Sequence, residues 1–249
     1  MKATFATQRK AWSSPPVDDI GYLPAAELLS WSDQTLLDLI DEMEENRYKG
    51  WRNWNGNWRR VLGLDTTSNA VVLDYGCGVG LEALQYAKHR NNVLLADISE
   101  ANVFLAAHVM RLHGYEPGAE IVLDKNPPFA SLSEETLDVV HCNGVLHHIP
   151  RPQPVVKQFA KWLKPGGELR LMLYSDQAWR IATGTEPPER VEEHPDFLEY
   201  VRYWDAVGDY ADWYDVERIA ERFGQWFTID ICDPLTENAA YLGVVLKKL

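Results

Sequence analysis

The segment 71–80, with the sequence VVLDYGCGVG, constrains the fold of this chain more than any other. Its apolar beginning is typical of a parallel strand covered on both faces, and residues 81–89 carry apolar side chains at helical spacing. Only a tight turn can join a strand to a helix so closely, and glycine permits the positive φ that such a turn needs. The free N–H groups of the helix start face the same space. The segment therefore predicts a turn that holds a nucleotide-like ligand.

The glycine spacing distinguishes two kinds of nucleotide site. Dinucleotide-binding turns read G-x-G-x-x-G and hold a pyrophosphate at the helix start. Here the pattern is D-x-G-x-G-x-G, so the last glycine comes one residue early and Asp74 stands two residues before the first. A carboxylate at this place would repel a pyrophosphate but favour the ammonium end of an amino-acid ligand. The spacing disfavours a nicotinamide oxidoreductase, which cofactor binding would test.

This pattern resembles motif I of the class I S-adenosylmethionine (SAM)-dependent methyltransferases. The resemblance implies an α/β fold: a Rossmann-like, seven-stranded, mostly parallel sheet with an antiparallel last strand and helices on both faces. It also implies SAM as the cofactor. The residues that it places at the cofactor in this turn are Asp74, Gly76, Cys77, Gly78 and Gly80.

A second acid follows about 20 residues later, where residues 93–97 read as a strand that ends in Asp97. A carboxylate there accepts hydrogen bonds from both hydroxyls of an adenosine ribose. Ile98 would then border the adenine, and Ser99 is placed to cap the next helix. Taken alone, Asp97 could be an ordinary helix-capping acid, but after motif I the sequence favours ribose binding.

The third strand, predicted over residues 120–124, ends in Asp124. The segment 124–129 loosely resembles the D-x-x-x-x-P-F segment that edges the adenine in this family. The resemblance makes Asp124 a candidate for the adenine amino group, and a solvated loop acid is the alternative.

The fourth strand, predicted over residues 137–142, leads into the sequence NGVLHHIP. This resembles the L-H-H-x-P form of motif IV, found in a methyltransferase branch rich in small-molecule enzymes. The resemblance places Asn143 at the methionine part of SAM. A histidine at the carboxyl end of a strand can act as a base near neutral pH, so His147 and His148 are catalytic candidates. Alternatively, an imidazole holds the loop by hydrogen bonds, and adjacent side chains diverge too much for a metal site.

The chain after motif IV again follows the family pattern. A helix over residues 152–163 and the sequence LKPGG precede a strand over 168–174, and Asp176 follows that strand. Asp176 could orient a histidine or bind substrate, or it could be a turn acid. A helix over 216–223 and strands over 226–232 and 241–249 then complete the predicted sheet.

The chain is read as one domain with two additions. Residues 1–69 form an N-terminal helical cap, irregular as far as Pro24, residues 70–175 the SAM-binding core, and residues 216–249 the C-terminal helix and strands. The aromatic-rich segment 176–215 is predicted to be an insertion that covers the active site. In the cap, Trp51, Trp54 and Trp58 would share one face if helical. This face would dock on the core; alternatively, Tyr48, Trp51 or Trp54 would form part of a lid over the ligand.

Composition limits the partners. A net charge of −13 argues against nucleic acid, and no run is apolar enough for a membrane span or signal peptide. Three dispersed cysteines fit neither a disulfide framework nor a metal site, and they suit a reducing cytoplasm. A monomer and a homodimer both remain open.

We therefore expect a SAM-dependent methyltransferase acting on a small molecule. Oxygen is favoured over nitrogen as the acceptor atom, because a histidine base is most useful there. The alternatives are a SAM-binding protein without catalysis and a methyltransferase that acts on RNA or protein.

Overall fold

The computed structural model describes residues 5–17, 21–50, 53–123, 132–205 and 207–249. A seven-stranded sheet forms its centre. The strands are β1 (Val71–Tyr75), β2 (Asn92–Asp97), β3 (Ala119–Val122), β4 (Leu137–Asn143), β5 (Leu163–Tyr174), β6 (Phe227–Pro234) and β7 (Tyr241–Lys248).

The strand order across the sheet is β3-β2-β1-β4-β5-β7-β6. The first five strands pair in parallel, and β7 runs antiparallel to both of its neighbours. The chain places β2 and β3 on one side of β1 and then β4 and β5 on its other side, so the strand order reverses between β1 and β4. Open α/β sheets bind ligands at such a switch point, beyond the carboxyl ends of the strands. The predicted α/β architecture, including its antiparallel last strand, is confirmed.

Alternating side chains of the strands fill two cores, one on each face of the sheet. Val72 of β1 packs in one core with the helices that follow β1 and β2, and Leu73 packs in the other. Period-two alternation in a strand covered on both faces produces this division, and it explains why β1 is apolar along most of its length.

Ten helices surround the sheet in the described part of the chain. Ser32 caps α3 and Ser99 caps α6, each accepting a hydrogen bond from a backbone N–H three residues on. The helices are α1 (Phe5–Ala11), α2 (Ala25–Leu28), α3 (Asp33–Lys49), α4 (Asn57–Val61), α5 (Leu81–Lys88), α6 (Glu100–Leu112), α7 (Gln153–Trp162), α8 (Asp176–Thr183), α9 (Phe197–Trp204) and α10 (Val216–Phe223).

The N-terminal region differs from its prediction in two places. Residues 5–11 form α1, where irregular chain was expected. Trp54 and Trp58 do not lie on one helix: Trp54–Gly56 is a 3₁₀ turn in which Asn55 has a φ of 52°, and α4 starts at Asn57. Positive φ at two successive residues ends the helical path, so the four-residue spacing of these two tryptophans does not report a shared helix face. Trp51 lies outside the described residues.

The segment after β5 packs as a third cluster of buried side chains. Helices α8 and α9 enclose Trp179, Tyr200 and Tyr210, and the backbone of Ser175 bridges to that of Tyr214. This cluster lies at the carboxyl end of β5 and so borders the ligand-binding edge. Among the described helices, none has the length and apolar character needed to cross a bilayer.

Candidate active site

A cavity of about 480 Å³ lies at the carboxyl ends of β1, β2 and β4. Its volume is in the range of small-molecule sites. The motif I turn, the end of β2 and the loop after β4 form its base, and the N-terminal segment covers it. The predicted cofactor residues that line it are Gly76, Cys77, Gly78, Asp97, Ile98 and Asn143.

The motif I turn is fixed to the next strand by its backbone. The N–H groups of Gly76 and Cys77 donate to the carbonyl of Ala96, at 2.7 and 3.1 Å. A Cβ at Gly76 would lie 2.2 Å from Val145, and one at Gly80 would lie 2.8 Å from the Cα of Ala106. Both positions also have positive φ, so glycine is required there by conformation and by space.

Gly78 is different, because among the described residues only Pro15, at 3.8 Å, lies within 4 Å of a Cβ built on it. Its N–H donates to Oδ2 of Asp97 at 3.2 Å, and the Ser99 N–H donates to Oδ1 at 2.8 Å. Gly78 therefore presents bare backbone to the cavity, next to a carboxylate that two N–H groups hold in place. Burial raises the pKa of Asp97 to about 6 despite these hydrogen bonds.

Asp74 and Gly80 do not line the cavity. Asp74 is buried, and its burial, together with the Glu82 and Asp97 carboxylates, raises its pKa well above the usual range. An acid in these surroundings favours its neutral form, so it is poorly suited to attract an ammonium group directly. Its role at the cofactor stays a prediction. Asp124 lies outside the described residues.

A buried ion pair lines the cavity beyond the glycine turn. Nη1 of Arg47 donates to Oε1 of Glu82 at 2.8 Å, and the Tyr48 hydroxyl donates to the same oxygen at 3.2 Å. Oδ1 of Asn143, at the end of β4, is buried without a hydrogen-bond partner in the described structure. These groups give one part of the cavity charged and amide side chains that can meet the polar end of a ligand. Sequence reasoning missed Arg47 and Glu82, because each lies inside an ordinary helix.

The structure distinguishes the two histidines of motif IV. His147 is fully buried, does not line the cavity, and stacks on Tyr174 with a centroid distance of 3.9 Å. Burial lowers its pKa well below the ordinary value. His148 lines the cavity, and its Nδ1 lies 2.9 Å from the carbonyl of Tyr210. That carbonyl can only accept, so Nδ1 carries the proton and Nε2 has the lone pair.

Asp176 does not reach this cavity in the structure. Its carboxylate forms an ion pair with Arg180, one turn along α8, and its Oδ1 accepts the Gln177 N–H. No contact joins it to either histidine in the described part of the chain. Its catalytic role stays a prediction that no contact supports.

Residues 5–12, at the start of the predicted cap, close the cavity, where the sequence indicated only irregular chain. Phe5, Gln8 and Trp12 line the cavity. Arg9 donates to the carbonyls of Ile98 and Leu123, at 2.8 Å each, and so ties α1 to the ends of β2 and β3. Further along the cap, Trp58 packs in the core and also lines the cavity. The sequence around Arg9 gives no signal of its contacts with the distant carbonyls of Ile98 and Leu123.

The central part of the chain matches a family model described as a methyltransferase domain, over residues 73–169. A ubiquinone biosynthesis O-methyltransferase of Aliivibrio fischeri is 38% identical over 100 residues, which are 39% of this chain. The aligned region spans 41% of that relative, so the chain matches about two fifths of its length.

Solved structures extend the likeness beyond the matched sequence. A SAM-dependent methyltransferase from Aquifex aeolicus superposes with a TM-score of 0.57 at 14% identity, over 88% of this chain and all of that one. One from Mesorhizobium loti gives the same TM-score at 18% identity, over 78% of this chain and 99% of that one. At these identities the structures establish a shared fold.

Proposed function

We propose that this chain binds SAM and methylates a small molecule, because residues 73–169 match a methyltransferase domain model and solved SAM-dependent methyltransferases share its fold. The observation that carries this proposal is the pairing of Gly78 with Asp97 at the strand ends. Bare backbone admits a nucleoside closely, and a fixed carboxylate accepts its ribose hydroxyls.

The remaining lining residues suit the other parts of SAM. Ile98 and Leu123 offer apolar contacts to the adenine. Asn143 and the Arg47–Glu82 pair can hydrogen-bond to the amino and carboxyl groups of the methionine part. Asp74 would act from behind the turn, by keeping its backbone in place.

We further propose that the acceptor atom is oxygen and that His148 is the base. The bound sulfonium supplies an electrophilic methyl group. His148 lines the cavity with the lone pair on Nε2, whereas both nitrogens of His147 are sealed inside the protein. The cavity around His148 includes Trp12, Ile149 and Met172, which suit a largely apolar acceptor with a hydroxyl group. The O-methyltransferase activity named for the relative supports oxygen.

Two measurements test the proposal. Isothermal titration with S-adenosylhomocysteine should give a 1:1 binding isotherm, and NAD should give none. The protein is then incubated with SAM and a panel of phenols, catechols and hydroxy acids, and mass spectrometry should find a product heavier by one methyl group.

The variants His148→Gln and His147→Gln separate the roles of the two histidines. We expect His148→Gln to lower turnover by about 10²-fold or more with adenosyl binding retained. His147→Gln should act mainly on stability. Adenosyl binding without any methylated product would favour a binding protein, methylated RNA or protein would favour those substrates, and full turnover in His148→Gln would refute the base assignment.

A further inference from the structure

Asp205, at the end of α9 in the insertion, is an acid in an unfavourable place. It is 4% exposed, and it follows the C-terminus of a helix, where the helix dipole disfavours a negative charge. Burial raises the pKa of its carboxyl group. A buried acid at such a position lowers the stability of the fold unless a partner compensates its charge.

The other buried acid of the insertion shows what full compensation looks like. Asp212 receives Arg218 at 2.8 Å and Arg222 at 2.6 Å, one on each oxygen. Asp205 has no lysine or arginine within ion-pair distance in the described part of the chain. Its Oδ1 accepts the Tyr174 hydroxyl at 3.0 Å and lies 3.5 Å from the Tyr22 hydroxyl, and its Oδ2 has no hydrogen-bond partner among the residues that the structure describes.

The group that faces Oδ2 of Asp205 is His148, whose Nε2 is 3.7 Å away. This separation is beyond hydrogen-bond distance, and a carboxylate oxygen can only accept, so the lone pair of Nε2 is left for another donor. It is short enough for strong attraction once the ring carries a positive charge. The ring also lies against Trp12, with centroids 4.6 Å apart, and an aromatic ring favours an adjacent cation.

We propose that Asp205 is a positioning residue for His148, and that its carboxylate stabilises the imidazolium formed when Nε2 accepts the proton of the acceptor hydroxyl. This inference rests on the proposed function. In the step, the acceptor O–H bond breaks as the Nε2–H bond forms, and the oxygen takes the methyl group as the sulfur–methyl bond breaks. The products are the methyl ether, S-adenosylhomocysteine and a protonated His148, which then returns its proton to water.

Three separate parts of the chain thus meet at one histidine. The motif IV loop supplies the ring, the insertion supplies Asp205 and the Tyr210 carbonyl, and the N-terminal segment supplies Trp12. The titratable groups that face the ring from these elements and from the end of β5 are Asp205, His147 and Tyr174.

An NMR titration of the full chain tests the proposal without an acceptor. The His148 ring is followed against pH in the wild type and in Asp205→Asn, with and without S-adenosylhomocysteine. We expect the midpoint of its titration to move to lower pH by about 1 to 3 units in Asp205→Asn, because an opposite charge at this distance is removed. Asp205→Glu, which keeps the charge, should have a His148 midpoint close to that of the wild type.

Asp196→Asn is the matched control, because Asp196 lies at the opposite end of α9, where its carboxylate is 3.6 Å from His194. It should leave the midpoint in place. An unchanged midpoint in Asp205→Asn would overturn the proposal, even if the variant lost activity or stability. If Asp205→Asn does not fold, Asp205→Glu and Tyr174→Phe replace it. Both variants keep the carboxylate, so their His148 midpoints should stay close to that of the wild type. A large shift to lower pH in both variants would contradict the proposal. Since the titration needs neither SAM nor acceptor, its result stands apart from adenosyl binding, on which the proposed function depends.

Discussion

Asp97→Asn is the variant that most directly tests the cofactor site. The carboxylate already accepts two backbone N–H groups, and each oxygen has a further lone pair for a ribose hydroxyl. An asparagine keeps one acceptor oxygen and turns an N–H₂ group toward the N–H of Gly78 or Ser99. A hydrogen bond to a charged group contributes about 1.5–3 kcal/mol. Losing one such bond and weakening the other should cost about 2–4 kcal/mol, or about 30- to 700-fold in Kd for S-adenosylhomocysteine.

The pH dependence gives a second, independent magnitude. The pKa of Asp97 is raised to about 6, so its ionised form is nearly complete at pH 8 and falls to about one tenth at pH 5. If the ionised form binds the ribose, the wild-type Kd should rise about tenfold between pH 8 and pH 5. Asp97→Asn has no charge to lose there, so its weaker affinity should stay nearly constant over this range.

Isothermal titration at several pH values measures both effects, and binding should release protons in the wild type near pH 6. The control is Asp230→Asn, on the edge strand β6, where the exposed carboxylate pairs with Lys247 at 3.0 Å. It should bind S-adenosylhomocysteine as the wild type does. Equal affinity in wild type and Asp97→Asn, or a wild-type Kd that does not change from pH 8 to pH 5, would refute the ribose assignment.

Three further predictions follow from the surroundings of the cavity. Gly76→Ala should lower the free energy of unfolding by about 2 kcal/mol or more in urea titrations, because its Cβ would lie 2.2 Å from Val145 at a positive φ; Gly184→Ala, with an open position at φ 68°, should lose only about 1 kcal/mol. Arg9→Ala should speed dissociation of S-adenosylhomocysteine about tenfold in stopped-flow experiments, because α1 loses its two hydrogen bonds to the strand ends, whereas Lys10→Ala should not. Burial lowers the pKa of His141 to about 4, so between about pH 6.5 and pH 4 the unfolded chain binds a proton that the folded chain does not. On acidification through this window the free energy of unfolding should fall by about 3 kcal/mol, and His141→Phe should show a smaller fall.

The core of the fold could be predicted because its signals are local. The apolar β1 and the three glycines occupy ten consecutive residues, and the apolar pattern of β2 and β4 and of helices α5 and α7 is visible in their own sequences. The same locality explains what was missed. Helix α1 is held by Arg9 reaching backbone carbonyls about 90 and 114 positions away, and carbonyls carry no sequence signal. Asp74 shows a third limit: its motif position was correctly recognised, but its exclusion from the cavity depends on tertiary packing.

Around His148, the predicted and the missed residues come from different parts of the chain, whereas on the cofactor side the missed Glu82 lies inside the matched range. Residues 73–169, which match the family model, supply the glycine turn, Asp97 and the motif IV loop. Trp12 precedes this range, and Asp205 and Tyr210 follow it, yet these three surround His148. Relatives aligned only over the shared range therefore inform on the cofactor half, because the residues around the proposed base come from outside it. The acceptor of this chain should accordingly be set by the N-terminal segment and the insertion, and an exchange of residues 176–215 with those of a relative should change the acceptor while leaving adenosyl affinity in place.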